Sequence, residues 1–457
     1  MDASDSASSS SKLDRRAFLK TGAVSLAGAA TLGSTAPAVH VSTQPTEIIF
    51  AFGPDDSGTL QPLIDAFNRE HEGDIRVRWR EMARASDAYY RQLVSDFEAD
   101  AADMDVFGAD IVWTAPLVRR GWVQNLTRRF HGAYDPDEFV EPALQSAAYR
   151  FRIWGVPWYT DAGVLFYRRD LLERNGISSP PATWDALIDA ARQVTQADGV
   201  PHGFVFQGDE YEGGVANALE YIWNAGGRVM TLRGSVAATP GQNMIEPNVI
   251  NVNSADAAAG LATARRMIDE GVAPQAVTRF REEEAWDEFL AGRAVFMRNW
   301  PYVYGLLDTE ISQLSPDQIG IALIPSSSEA HTRYSCLGGW NLMINDRSSN
   351  EKQDAAWTFI QYLTDPGPQK RRAIEGGFLP TRPQVYDDPE VQAQAPGIAL
   401  SRAAVDRARV RPVSPYYMEL SPRIARAFTR TLGGAFSGRE AVSRLEDELH
   451  AILRRMR

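Results

Sequence analysis

The sequence predicts an α/β protein built from two lobes, and two observations support this. Between residues 48 and 110 the hydrophobic pattern alternates strand, helix, strand, helix and strand, which predicts a parallel sheet covered by helices. The pattern restarts after residue 155, and the chain beyond residue 351 is mainly helical. Two α/β units joined by crossing segments fit this order better than one large sheet.

The first unit opens with the apolar run 48–52, which is typical of a buried strand. Leu60, Leu63 and Phe67 follow at helical spacing, so an amphipathic helix comes next. The other predicted elements of this unit are a strand at 75–79, a helix at 89–97 and a strand at 105–110. Ligands of parallel sheets bind beyond the carboxyl ends of the strands, so Asp110 is a candidate ligand contact.

The second unit repeats the alternation of strands and helices. Thr183 follows a pair of prolines and precedes an apolar-periodic run, which predicts the N-cap of a helix. The predicted strands are 163–167, 203–206, 294–297 and 319–324, and the predicted helices include 213–225 and 255–270. No internal repeat of 20–50 residues is evident in the sequence.

Composition excludes several classes of function. The chain has 457 residues and a formal net charge of −12, which argues against nucleic acid or an anionic membrane surface as partner. A single cysteine excludes an intrachain disulfide, and with six scattered histidines it leaves no zinc-site spacing. We therefore expect no metal and no organic cofactor.

The first 38 residues predict an export signal. Arg15 and Arg16 precede the short apolar run 21–32, and Ala36-Pro37-Ala38 has the small residues of a cleavage site. The run is shorter than the roughly 20 residues that a membrane-spanning helix needs. The segment resembles a twin-arginine signal, which places the mature protein in the periplasm or outside the cell.

Aromatic side chains lie beside acids, glycines and prolines. In an extended segment Tyr159 and Asp161 point to the same face, so a ring and a carboxylate lie side by side. Pro301 places the rings of Trp300 and Tyr302 at a turn or a helix start. Rings cover the apolar C–H faces of a sugar, while charged groups hydrogen-bond its hydroxyls strongly.

Two later segments complete this set. Gly339 lets the backbone approach a ligand closely beside Trp340, and Arg411 precedes a proline- and tyrosine-rich run. Each motif alone has a structural alternative. A tryptophan can simply be core, Asp110 can be only a helix cap, and Arg411 can form a surface ion pair of little energetic value.

Taken in order, these segments resemble a known family. The stretches that carry the resemblance are GVPWYTDAGVLFYRRDLLERNG (155–176), GFVFQGDEYEGGVANALEYIWNAGG (203–227), FMRNWPYVYG (296–305), LGGW (337–340) and RPVSPYYMELS (411–421). From about residue 47 onward the chain resembles family 1 extracellular solute-binding proteins of sugar ABC importers, which have the maltose-binding-protein fold. Within that family it is most similar to trehalose/maltose-binding proteins.

The resemblance implies a type II periplasmic-binding-protein fold with a ligand cleft between two lobes and a multi-strand hinge. The implied parts are a signal at 1–38, lobe 1 at 46–157 and 325–375, and lobe 2 at 160–322 and 378–457. It implies a monomeric binding protein, without enzymatic activity, that delivers a disaccharide to the permease subunits of an ABC transporter.

The resemblance also implies a set of ligand contacts. These are Asp110, Tyr159, Asp161, Trp300, Tyr302, Gly339, Trp340, Arg411 and, as a further polar contact, Arg80. The chain departs from the family in the loop 53–58, which is shorter than the loop that carries a ligand-binding glutamate. We expect Asp55 or Asp56 to replace that glutamate.

Three functions are compatible with these residues. The first is a receptor for an α-linked glucose disaccharide, with trehalose ahead of maltose. The second is a receptor of the same fold for a polyol or a longer oligosaccharide, which the short loop supports. The third is an exported glycoside hydrolase, since paired carboxylates beside rings also serve hydrolysis.

Two further features are given no role in the site. We assign Glu282–Glu284 to a solvated helix face and expect Cys336 to be a buried apolar residue.

Overall fold

The computed structural model describes residues 44–100, 103–231 and 249–455. The strands are β1 (Thr46–Phe52), β2 (Ile75–Glu81), β3 (Val106–Asp110), β4 (Ala148–Tyr149), β5 (Arg152–Ile153), β6 (Val156–Ala162), β7 (Val164–Arg168), β8 (His202–Val205), β9 (Met230–Thr231), β10 (Val249–Ile250), β11 (Ala294–Asn299), β12 (Ile319–Ala322), β13 (Ser335–Ile344), β14 (Leu379–Pro380) and β15 (Ala408–Arg409).

The helices follow the same chain order. They are α1 (Leu60–Glu70), α2 (Ser86–Glu98), α3 (Thr114–Arg120), α4 (Thr127–Ala133), α5 (Glu141–Ser146), α6 (Arg169–Arg174), α7 (Trp184–Asp198), α8 (Glu212–Asn224), α9 (Ala255–Asp269), α10 (Glu282–Leu290), α11 (Asn350–Thr364), α12 (Pro366–Gly376), α13 (Pro383–Tyr386), α14 (Pro389–Gln394), α15 (Pro396–Val405), α16 (Tyr417–Leu432) and α17 (Gly438–Arg455).

The larger sheet has the strand order β14-β6-β13-β3-β1-β2, with β15 also paired to β13. β1 runs parallel to both β2 and β3, so the predicted βαβαβ unit is confirmed. β13 runs antiparallel to β3 on one side and to β6 on the other. The long strand β13 therefore joins the parallel half of the sheet to the strand that leads into the second lobe.

The second sheet has the order β12-β7-β11-β8. β7 is antiparallel to both of its neighbours, and β11 is parallel to β8. A core of apolar side chains from α7, α8, α9, α16 and α17 packs on this sheet, because those helices place their buried residues in one cluster. The C-terminal helices α16 and α17 thus share one apolar core with this sheet.

The two-lobed α/β fold predicted from the sequence is confirmed. Thr183 caps α7 as expected, since its side chain accepts a hydrogen bond from the backbone N–H of Ala186 at 3.2 Å. The signal predicted at 1–38 lies outside the described residues. Within the described ranges, no helix is long and apolar enough to cross a membrane.

Candidate functional site

Asp110 ends β3 and starts a network of polar contacts. Its carboxylate accepts hydrogen bonds from the Ser86 hydroxyl at 2.8 Å and from the Val112 backbone N–H at 3.2 Å. The second bond caps the short 3-10 helix Ile111–Trp113, so the alternative in which Asp110 is a helix cap is correct, although Asp110 has other partners as well. Asp110 also accepts from Arg411 Nη2 at 3.2 Å, and both side chains are buried.

Arg411 holds two buried carboxylates rather than one. Its Nη1 donates to Glu212 Oε1 at 2.5 Å, and Glu212 also accepts from the hydroxyls of Tyr417 and Ser421. Burial opposes the charge on Arg411, but Asp110 and Glu212 keep the pKa of the guanidinium well above its ordinary value. Nε of Arg411 is also buried, and it has no hydrogen-bond partner among the described residues.

Trp340 lies on β13 between the two strands that carry the candidate carboxylates. It is opposite Asp110 of β3 and opposite Tyr159 of β6. Its ring stacks on Tyr89 with centroids 5.6 Å apart. Gly339 has φ +115°, and a Cβ there would lie 2.4 Å from the Tyr159 carbonyl oxygen. This close approach explains the glycine before the tryptophan.

Asp161 lies on β6 opposite Gly338 of β13. A Cβ at Gly338 would lie 2.9 Å from Asp161 Cβ and 3.1 Å from the Trp300 ring, so the glycine allows ring and carboxylate to meet at this strand. The Asp161 carboxylate has no hydrogen-bond partner among the residues that the structure describes. Burial raises its pKa to about 8, although Arg298 opposes this shift.

Trp300 is held in place from two sides. It precedes the 3-10 helix Pro301–Asp308, as the proline predicted. The guanidinium carbon of Arg298 lies 4.1 Å from the centroid of the indole, and the indole Nε1 donates to Glu282 Oε1 at 3.2 Å. Glu282 also accepts from the Tyr211 hydroxyl at 2.7 Å. The indole plane is therefore fixed by a cation and a carboxylate.

Tyr302 lies beside this group. Its ring makes an edge contact with Trp286, with centroids 5.8 Å apart. Burial, together with the charges of Glu282 and Asp161, raises the pKa of Tyr302 well above its ordinary value, so the hydroxyl stays protonated. Tyr302 can therefore donate as well as accept a hydrogen bond.

A buried ion pair lies behind Trp300. Arg298 makes a bidentate contact with Glu220, with Nε–Oε2 at 2.8 Å and Nη2–Oε1 at 2.7 Å. Both side chains are 2 % exposed. Glu220 Oε1 also accepts from the Cys336 backbone N–H at 2.9 Å, which links α8 to β13. Cys336 is buried as predicted, and burial raises the pKa of its thiol to about 12.

The structure does not bring Arg80 to this group. Its guanidinium is paired with Asp96 at 2.7 Å and with Asp103. Asp55 accepts from the backbone N–H of Leu60 at 2.6 Å, at the start of α1. Asp56 is exposed and paired with Arg84. The predicted ligand roles of Arg80, Asp55 and Asp56 remain predictions.

Arg372 of α12 is a buried cation next to Tyr159. Its guanidinium carbon lies 4.1 Å from the ring centroid of Trp158, 4.0 Å from that of Phe378 and 5.0 Å from that of Tyr159. All three guanidinium nitrogens are buried without a hydrogen-bond partner in the described part of the chain. Burial lowers the pKa of Arg372 to about 10. Its contacts with ring faces are the cation–π interactions that replace hydrogen bonds here.

The arrangement offers ring faces, an unpartnered carboxylate and a buried arginine around one strand. Gly338 and Trp340 are two residues apart on β13, so Asp161 and Asp110 flank neighbouring positions of that strand. Among residues 44–100, 103–231 and 249–455, no three His, Cys, Asp or Glu side chains come together as a metal-binding group.

Comparison with known proteins assigns the chain to a family. The profile described as "Bacterial extracellular solute-binding protein" matches residues 53–370. The chain belongs to this family. A "Probable ABC transporter-binding protein" of Deinococcus radiodurans is 30% identical over 436 residues, which is 93% of this chain and 98% of the relative. The resemblance found in the sequence motifs is thereby confirmed.

Solved structures of other solute-binding proteins agree with this assignment. The maltose-bound MalE3 of T. maritima has a TM-score of 0.78 and 34% identity, and the match covers 89% of this chain and 100% of that protein. A solute-binding protein of Agrobacterium radiobacter in complex with ribitol has a TM-score of 0.73 at 23% identity, covering 89% and 98% of the two chains. The second likeness shows the fold alone.

Three residues of this solute-binding protein escaped the sequence analysis. Glu212 begins α8, and Glu220 lies inside it, where its apolar neighbours on both sides were a signal of burial. Glu282 was assigned to a solvated face, but it is half-buried and binds Trp300. Its position as the first residue of α10 gave no indication of the contact, which appears only in the folded chain.

Proposed function

We propose that the protein binds a neutral sugar, an α-glucosyl disaccharide such as trehalose or maltose, between its two lobes. The observation that carries the proposal is the Asp161 carboxylate, which is half-buried beside Trp300 and has no protein hydrogen-bond partner among the described residues. Partial desolvation of an unpartnered carboxylate is unfavourable, and sugar hydroxyls supply the donors that it lacks.

The other candidate residues have complementary roles. The rings of Trp300, Tyr302 and Trp340 would cover the apolar faces of the sugar, and Tyr159 would border it. The Nε of Arg411 has no partner among the described residues and would donate a hydrogen bond to a sugar hydroxyl. Its Nη1 and Nη2 would remain hydrogen-bonded to Glu212 and Asp110. These charged hydrogen bonds orient the ligand, and stacking supplies apolar contact.

Hinge closure would trap the sugar. We propose that lobe 1 comprises 46–157 and 325–375, that lobe 2 comprises 160–322 and 378–457, and that the chain crosses near 157–160, 323–325 and 375–378. In support, β14 follows the third crossing and pairs with β6, which contains the first. A ligand that contacts both lobes favours the closed state by its higher affinity for that state.

A maltose ligand has support from the 34% identical maltose-bound neighbour. The second candidate, a polyol or a longer oligosaccharide, is favoured by one observation. Asp55 caps α1 and Asp56 pairs with Arg84, so neither carboxylate is free to replace the family's ligand glutamate. Trehalose and maltose therefore need to be compared directly with polyols.

We propose that the segment 1–38 exports the protein through the twin-arginine pathway and that the monomeric receptor delivers its sugar to an ABC permease. The name of the Deinococcus radiodurans relative supports the transporter partner. Binding without hydrolysis is part of this proposal, because the family consists of solute-binding proteins.

Isothermal titration calorimetry of residues 39–457 with trehalose, maltose, sucrose, glucose, mannitol and ribitol tests the ligand. Micromolar affinity for trehalose or maltose, about −8 kcal/mol, supports the disaccharide. Heat only with polyols would transfer the assignment to the second candidate. Release of glucose from either disaccharide during overnight incubation would instead identify a hydrolase.

A further inference from the structure

The hairpin formed by β4 and β5 has an unusual turn. The two strands pair antiparallel, with Ala148 opposite Ile153 and Tyr149 opposite Arg152. Only Arg150 and Phe151 lie between them, with φ +49° and +60°. Two-residue turns with positive φ at both positions strongly prefer Asn-Gly or Asp-Gly, because other side chains clash there.

The strain in this turn is exceptional within the described chain. The only other non-glycine residue with positive φ there is Asp100, a residue type that tolerates the left-handed region. A bulky aromatic in that region costs of order 1–3 kcal/mol and persists at functional sites. Neither Arg150 nor Phe151 gains compensating burial, since both side chains are exposed.

The turn presents an apolar side chain between two positive charges. Phe151 is 44 % exposed, and Arg150 and Arg152 on either side are exposed as well. Neither arginine has a carboxylate partner among the described residues, although the net charge of the chain is −12. The guanidinium of Arg150 lies over the ring of Tyr149, 5.5 Å from its centroid.

The base of the hairpin packs against α3, and α3 in turn contacts the segment that leads into α16. β4 packs against α3, and Arg119 of α3 lies over the ring of Tyr416, 4.1 Å from its centroid. Tyr416 belongs to the segment that carries Arg411 and runs into α16 of the second lobe. A partner seated on the hairpin is therefore close to the junction where the two lobes meet.

We infer that Arg150, Phe151 and Arg152 form a docking knob for the membrane subunits of the transporter, an inference that rests on the proposed function. The partner surface has an apolar pocket for Phe151 with carboxylates at its rim for the two arginines. An exposed aromatic flanked by arginines is the composition of an interface hot spot. The strain persists because it holds the ring away from the lobe.

A protein partner fits these residues better than a lipid surface. One phenylalanine and two arginines provide little apolar area for membrane insertion, which normally uses a whole amphipathic face. The acidic remainder of the chain would be repelled by anionic headgroups. A shaped pocket with local carboxylates avoids both problems.

The test compares Phe151→Asn with Ile311→Asn in cells of the source organism whose chromosomal gene is replaced by each variant. Asn tolerates positive φ, so Phe151→Asn is expected to fold with an unchanged or higher Tm. Ile311 is exposed to a similar degree, 57 %, and lies far along the chain in the second lobe. The Kd of each purified variant is measured first by calorimetry, with the sugar that the wild-type protein binds.

We expect Phe151→Asn to keep the wild-type Kd within twofold while uptake of limiting radiolabelled sugar falls at least tenfold at equal protein level. Ile311→Asn is expected to keep both values. Wild-type uptake by Phe151→Asn would overturn the docking role. A second outcome would also overturn it. If wild type sediments with phosphatidylglycerol vesicles that lack the transporter and Phe151→Asn does not, then Phe151 contacts lipid and not a protein subunit. A wild-type protein that binds no sugar would refute the proposed function at the calorimetric step instead.

Discussion

Two carboxylates flank β13, and their surroundings differ completely. Asp110 is held by a serine hydroxyl, a backbone N–H and Arg411. Asp161, at a neighbouring position across the strand, has none of these partners among the described residues. The protein itself supplies the partners of Asp110, whereas under the proposed function the partners of Asp161 would come from the bound sugar.

The difference suggests two separate roles: the contacts of Asp110 hold protein side chains in place, and Asp161 is left to contact a ligand under the proposed function. The network around Asp110 fixes Arg411 before a ligand arrives, so little ordering is needed on binding. Desolvation disfavours the ionised form of Asp161, and under the proposed function a hydrogen-bonding ligand would offset this cost. The four predictions that follow test the two halves separately.

The largest effect is expected from Arg411→Met. The change leaves Asp110 and Glu212 buried without their cation, and breaking a buried pair in this way costs about 3–5 kcal/mol. Urea unfolding at pH 7 measures the loss. The control is Arg402→Met, which breaks an exposed i,i+4 pair with Asp406 and should cost under about 1 kcal/mol. Equal losses in the two variants would show that the buried network is not stabilising.

Asp161→Asn is expected to weaken sugar binding without destabilising the fold. Above pH 8, where Asp161 is ionised, loss of a charged hydrogen bond costs roughly 1.5–3 kcal/mol, which is about tenfold to more than a hundredfold in Kd. Calorimetry measures the affinity and urea unfolding the stability. Asp110→Asn is the matched control and should lose stability, because Arg411 then lacks one counter-ion. An unchanged Kd in folded Asp161→Asn would remove Asp161 from the site.

The raised pKa of Asp161 predicts how stability and affinity change with pH. Because the folded pKa of about 8 lies above the unfolded value, the neutral carboxyl favours folding at low pH, and this contribution is lost as pH rises from about 4 to 8. The free energy of unfolding of wild type, relative to Asp161→Asn, should therefore fall across that range and level off above it.

Sugar affinity should change in the opposite direction. If hydroxyls donate to the ionised Asp161, Kd tightens as pH rises toward 8, by at most about tenfold per unit. Titrations between pH 5.5 and 8.5 measure this dependence, and Asp161→Asn should lack it. A wild-type Kd that does not vary with pH, alongside a variant that binds weakly, would show that the ligand accepts a hydrogen bond from neutral Asp161 as well as it donates one to the ionised form.

The smallest effect is expected from Glu282→Ala. This change removes the acceptor for the Trp300 indole and for the Tyr211 hydroxyl, so the ring loses its fixed orientation. We expect Kd to weaken by about 0.5–1.5 kcal/mol, the usual value of a hydrogen bond. Glu282→Gln keeps an acceptor for the indole and should recover most of the affinity. Glu283→Ala, at the exposed neighbouring residue, is the control and should bind as wild type.

The fold could be predicted well, because the spacing of apolar residues along a strand or helix reflects which of its faces is buried. The strand at 48–52 and the helix that begins at Leu60 are both present, and Asp110 ends its strand as expected. The pairing of β13 between β3 and β6 could not be read from the chain, since it joins residues more than 170 positions apart. Local patterns do not encode which distant strands become neighbours.

The site was predicted only in part. Rings next to glycine or proline could be recognised locally, so Trp300 and Trp340 were named as candidates from sequence. Their partners could not be recognised, because the sequence does not show which distant side chains Glu212, Glu220 and Glu282 contact. For Arg80 the spacing gave no indication that Asp96 and Asp103 bind its guanidinium. Polar networks of this kind join residues that are distant in the chain, so local sequence patterns do not reveal them.

The single cysteine of this chain makes its unfolding measurable without a label being engineered. Cys336 has no exposed surface, and its thiol pKa of about 12 leaves almost no thiolate at neutral pH. Its strand pairs with β15, and its backbone N–H donates to Glu220 of α8, so this core must open before an alkylating reagent reaches the sulfur. At fixed pH the rate of alkylation therefore measures how often this core opens, and a bound sugar that stabilises the folded state should slow it.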